Sequence, residues 1–112
     1  MKFTIEEKDT VVLIRIEGDV IGGPDAATIS EKIRNFLSQG KKKFIIDLQS
    51  VRWMNSSGLG ILIGGLTTVR NNKGQLILLH IPQKVKELLK LTKLERVFQQ
   101  FENEEKAIES FK

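Results

Sequence analysis

Lys43-Phe44-Ile45-Ile46-Asp47-Leu48 and, six residues later, Asn55-Ser56-Ser57-Gly58-Leu59-Gly60 decide how this chain folds. The first stretch is a short apolar, β-branched run of the kind that forms a fully buried strand. Beyond the second, Leu59, Leu62, Ile63, Leu66 and Val69 recur at helical spacing, so Ser56 and Ser57 fall at or beside the N-cap of a helix. The first turn of a helix leaves backbone N–H groups without intrahelical partners and carries the positive end of the macrodipole, which suits a serine oxygen or a phosphate alike. The strand-to-helix handover can therefore accept an anion.

Working outward, Phe3 to Lys8 and Thr10 to Glu17 read as two strands of a hairpin, with Val12, Ile14 and Ile16 alternating against Leu13, Arg15 and Glu17. Gly18 to Asp25 reads as a glycine-rich loop. Pro24 suits the first position of a helix that turns Ala27, Ile29 or Ser30, Ile33, Phe36 and Leu37 inward and closes at Gly40. After the serine-headed helix, Asn71-Asn72-Lys73-Gly74 is a stop signal and Gln75 to Leu79 a second buried strand. Pro82 introduces a helix over Lys84 to Leu91 with Val85, Leu88 and Leu89 on one face. Val97 to Phe101 reads as a short strand and Glu104 to Phe111 as a closing helix. The expected fold is α/β, with a mixed, mostly parallel sheet of four to five strands in the order β-β-α-β-α-β-α-(β)-α.

Composition narrows the function. A chain of 112 residues with 40% hydrophobic and 29% charged residues is ordinary for one globular domain, and no apolar run approaches the roughly 20 residues that span a bilayer. Met1 to Glu7 turns acidic after one apolar pair and lacks the apolar core of a secretory signal, so a cytoplasmic location is expected. Without cysteine, and with His80 the single histidine, neither thiol chemistry nor a metal cluster is expected. The net charge of +4 is spread among glutamates except at Lys41-Lys42-Lys43, which reads as a solvated loop rather than a specific nucleic-acid contact.

Asp47-Leu48, Val51 and Met54-Asn55-Ser56-Ser57-Gly58-Leu59-Gly60 resemble the signature of the STAS domain as found in bacterial anti-sigma factor antagonists. The loop after the second strand, the spacing to Gly74 and the Leu88 to Phe98 tail resemble it too, so the likeness spans residues 1–112 as a single domain. The resemblance implies a non-enzymatic partner switch without cofactor or metal. Such a protein binds an anti-sigma factor that is also a serine kinase, is released when that kinase phosphorylates it, and is restored by a phosphatase. The phosphoacceptor carries over to Ser56, with Ser57 as the adjacent hydroxyl. Asp19, Ile21, Gly22 and Gly23 in the loop, with Asn55, Ser56, Ser57, Gly58, Leu59 and Gly60 at the helix start, form the implied partner surface. Asn55 stands where the family usually has aspartate, and the loop aspartate is replaced around Ile21. Asparagine keeps the capping ability of aspartate but not its charge.

Other readings are weighed on single residues. Gly58 and Gly60 read as positions kept clear for an approaching partner, and Gly64 and Gly65 as packing glycines. Trp53 reads as a core plug, with an interface anchor as the other possibility. His80 reads as an ordinary strand-end residue. The glycines from Gly58 to Gly64 do not have dinucleotide-fingerprint spacing, and the serines lack the glycine on both sides that a nucleophile elbow needs. The same fold as a non-switching scaffold, or as an antagonist of a non-sigma output, is the alternative, and nothing in the pattern asks for more than a monomer.

Overall fold

The computed structural model describes all residues from Met1 to Lys112. Strands β1 (Lys2–Lys8) and β2 (Val11–Val20) form the hairpin, and α1 (Pro24–Ser38) leads to β3 (Lys43–Met54). The chain continues through α2 (Ser56–Asn71), β4 (Gln75–Leu79), α3 (Gln83–Leu91), β5 (Gln99–Phe101) and α4 (Glu104–Glu109). The five strands lie in sequence order, β1 antiparallel to β2 and all later neighbours parallel. The element order expected from the sequence is the one observed.

Both faces of the sheet are covered, so β2, β3 and β4 bury residues on alternate sides. Val12, Ile14, Phe44, Ile46, Leu76 and Leu78 join Ile29 and Ile33 of α1, Leu59, Leu62, Leu66 and Val69 of α2, and Val85 and Leu89 of α3 in a core of 22 residues. On the other side, Val11, Leu13, Ile45, Ile77 and Leu79 meet only Ala107 of α4 as a fully buried partner. Ala27 is exposed and Ala26 packs against the core instead, because a helix starting at Pro24 turns position 26 toward the Ile29–Ile33 stripe.

Two strands run further than periodicity indicates. β2 continues through Gly18-Asp19-Val20, which the glycine had marked as loop, because β3 supplies a partner as far as Met54. Register shifts between Arg15 and Glu17 and between Gly18 and Asp19 absorb extra residues in β3. Pairing of β3 with β4 stops at Asp47 and Leu79, so Ser50 to Met54 overhang the end of β4. That overhang carries the chain into α2.

Candidate functional site: the start of helix α2

Asn55, not a serine, is the N-cap of α2; its backbone is extended and its Oδ1 accepts from the Gly58 N–H at 2.7 Å. Ser56 and Ser57 are thus the first two helical residues, both exposed. The asparagine cap consumes one of the free first-turn donors and leaves the serine hydroxyls out of the capping role. The Asn55 N–H donates to Val20 O at 3.3 Å and the Leu59 N–H to Asn55 O at 2.8 Å, which fixes the helix start against the end of β2.

Gly58 explains how closely the two elements meet. A Cβ at this position would stand 1.8 Å from Val20 O and 2.6 Å from Val20 C, so only glycine lets α2 approach β2. This corrects the expectation that Gly58 is kept clear for a partner: it is buried and kept clear for the chain's own strand. Leu59 is also buried, in the main core, and cannot be part of a contact surface. Gly60 is exposed with open space around it. Gly64 likewise has nothing near a would-be Cβ, so the packing expected of it is not seen, whereas a Cβ at Gly65 would lie 3.3 Å from Ile33 Cδ1.

The β2–α1 loop closes one side of the site. Gly22, at φ 90°, brings its Cα so near that a Cβ would lie 3.0 Å from Ser57 Cβ, and Ile21 beside it is 54% exposed. Asp19 is not in this loop but on β2, where Arg52 Nε and Nη2 grip its two carboxylate oxygens at 3.0 Å each. Hydrogen bonding from Arg52 holds the Asp19 carboxyl below its ordinary pKa and raises that of the guanidinium. Gly23 stands apart, as the N-cap of α1. Of the residues expected at the surface, Ile21, Gly22, Asn55, Ser56, Ser57 and Gly60 therefore converge, whereas Gly58 and Leu59 lie beneath it.

Trp53 is 47% exposed, which corrects its reading as a core plug. It sits on the part of β3 that has no β4 neighbour, and α3 flanks it: Trp53, Met54, Lys84, Glu87, Leu88 and Leu91 line a shallow groove of about 300 Å³. Leu91, placed by periodicity in the α3 helix but not on its buried face, is 82% exposed. The overhang that creates this groove depends on β4 being shorter than β3, and no local pattern in either strand announces it.

A second polar cluster lies under α4. Asp47, 5% exposed, accepts from Arg15 Nη1 at 2.7 Å and from the Gln49 N–H at 3.0 Å, and His80 Nδ1 lies 3.1 Å away. Arg15 also bonds Glu6 at 2.9 Å and Glu104 at 2.9 Å, and Lys8 reaches Glu104 at 2.6 Å. Arg15, then Lys8, hold the Glu104 carboxyl below its ordinary pKa. Sequence reading singled out His80 without this partner. Since Arg15 and Asp47 lie two residues beyond Leu13 and Ile45, on the same face of the sheet as the residues that meet Ala107, the histidine is committed to the α4 side and does not serve the serines.

A family model described as the STAS domain matches residues 2–107. The anti-sigma-B factor antagonist of Staphylococcus aureus is 26% identical over 91 residues, covering 81% of this chain and 82% of its own. The structure of the Bacillus cell fate determinant SpoIIAA in its phosphorylated form superposes with a TM-score of 0.76 at 24% identity, over 99% of this chain and 100% of that one. An anti-sigma factor antagonist from Mycobacterium paratuberculosis gives a TM-score of 0.80 at 19% identity, over 97% and 92% of the two chains.

Proposed function

The chain belongs to the STAS domain family, and we propose that it is an anti-sigma factor antagonist that switches partners through phosphorylation of Ser56. The observation that carries this reading is the exposed Ser56 hydroxyl on the first turn of a helix whose cap is already supplied by Asn55. A serine used as a cap would have its oxygen tied to the backbone; this one is free to be the acceptor. The Staphylococcus aureus relative is an anti-sigma-B factor antagonist, and SpoIIAA, whose fold this chain shares, is an anti-sigma factor antagonist that has been seen in a phosphorylated form.

The switch needs no change of fold. A phosphoserine carries about −1.5 to −2 charges at neutral pH. At the first turn of α2 the helix dipole favours such a charge by about 0.3–1 kcal/mol. A partner packed over Ile21, Gly22, Ser56 and Gly60 would have to desolvate it, and an unpaired desolvated charge costs several kcal/mol. At 1.4 kcal/mol per tenfold in affinity, exclusion by charge and bulk is sufficient to turn binding off. In this reading the partner is an anti-sigma factor with serine kinase activity, and a phosphatase resets the chain. No helix here is long and apolar enough to cross a membrane.

The test is intact-mass analysis with peptide mapping after incubation with ATP and the candidate serine kinase. One phosphate on the wild-type chain and none on Ser56→Ala is the expected result. Asn55 favours a second reading, a non-switching scaffold, because it removes a carboxylate from beside the acceptor. A scaffold binds its partner equally as wild type, Ser56→Ala and Ser56→Asp; a switch loses it in Ser56→Asp.

A further inference from the structure

Ile21, Trp53 and Leu91 are the large apolar side chains that the fold leaves exposed, and two of them, Trp53 and Leu91, line the same groove between β3 and α3. Trp53 is three residues before Ser56, at most about 10 Å of extended chain, so this groove lies within reach of a partner seated at the start of α2. Its rim carries both signs with a positive excess: Lys84 and Glu87 line it, Lys90 stands with Glu87 and Leu91 on the adjoining face, and of the three lysines in α3 only Lys86 is ion-paired, with Glu102. An exposed indole and leucine beside unpaired lysines have the composition of an interface anchor with a basic rim.

We propose that this groove docks an amphipathic segment of the switching partner, one that places an aliphatic or aromatic side chain between Trp53 and Leu91 and turns carboxylates toward Lys84 and Lys90. The proposal rests on the partner-switching reading and adds to it a second point of attachment, which phosphate on Ser56 does not touch. The Ser56 surface then decides whether the partner binds, and the groove decides which partner does. Salt weakens the contact through the lysines, while the apolar anchor is insensitive to it.

The experiment is calorimetric titration of the wild-type chain, Leu91→Glu, the double variant Lys84→Gln with Lys90→Gln, and Ser56→Asp. Each is titrated against every anti-sigma factor kinase encoded in the same genome. Leu91 is 82% exposed, so Leu91→Glu keeps the wild-type circular dichroism and unfolding midpoint. Leu91→Glu is expected to weaken binding at least tenfold, and the lysine variant about threefold, with a flatter dependence on salt. Wild-type affinity in Leu91→Glu, with binding lost in Ser56→Asp, overturns the groove and leaves the switch standing. Wild-type affinity in both variants, or no binding of any such kinase to the wild-type chain, overturns both readings. Concentration-dependent dimers at sedimentation equilibrium that Leu91→Glu dissolves, without an effect on kinase binding, would give the groove to a second copy and overturn the proposal.

Discussion

Three helices bury 22 residues on one face of the sheet, whereas the other face is closed by the six-residue α4 over a cluster of six, with Arg15, Asp47, Glu6, Glu104 and Lys8 tied together at its margin. The first face is held by apolar area, which is indifferent to pH and salt; the second adds charge, which is not. The serine-bearing helix belongs to the first. Its position is therefore set by packing that a phosphate at its tip does not enter, and conditions that loosen α4 leave it in place.

The contrast can be broken first at Gly58. Adding a methyl group drives it into Val20 O, and the gain in helix propensity of about 1 kcal/mol from glycine to alanine is smaller than the steric cost. Gly58→Ala is expected to lose about 3 kcal/mol in urea unfolding; a loss below about 0.5 kcal/mol would show that α2 slides freely on β2.

On the charged face, Arg15→Met keeps most of the aliphatic stem but leaves the buried Asp47 carboxylate with only the Gln49 N–H and His80. A cost of about 2 kcal/mol is expected, much of it recovered when Asp47→Asn is added, as a double-mutant cycle would read. An additive pair would mean that the two side chains do not depend on each other.

Acid separates the faces without mutation. Glu104 and Glu6 are both held below their ordinary value of 4.5 by Arg15. Their contribution is complete above that value and is lost as pH falls through the depressed values of the folded state. Amide exchange at α4 is expected to rise on acidification below about pH 4.5 while α2 stays protected; simultaneous loss would make the sheet one cooperative unit to both faces.

The smallest effect is the most telling for function. Ser56→Asp places a charge at an exposed first-turn position, so stability should change by less than about 0.5 kcal/mol. A drop beyond about 1 kcal/mol would mean that charge at this site disturbs the fold and that exclusion alone does not describe the switch.

The α2 start was legible because its parts are local: an apolar run, a capping side chain and a helical stripe all lie within consecutive residues. Even there, the division of labour between Asn55 as cap and Ser56 as first helical residue needed the 2.7 Å bond to Gly58. Asp19 looked like loop because glycine interrupts β2, yet β3 pairs through it. Trp53 looked like core because large aromatic side chains usually are, yet it lies where β3 outruns β4. These misreadings share one cause, the relative lengths of neighbouring strands.

By itself, then, the sequence determined the element order, the mostly parallel sheet, the helix that carries the serines and the family resemblance, since each rests on periodicity, turn residues or a contiguous motif. Only the tertiary structure decided that Gly58 serves the fold and not a partner, that Trp53 and Leu91 share an exposed groove, and that Arg15, Asp47 and Glu104 meet under α4. Those facts join residues from different strands and helices. Their distances are set by register and packing, which no single stretch of chain encodes.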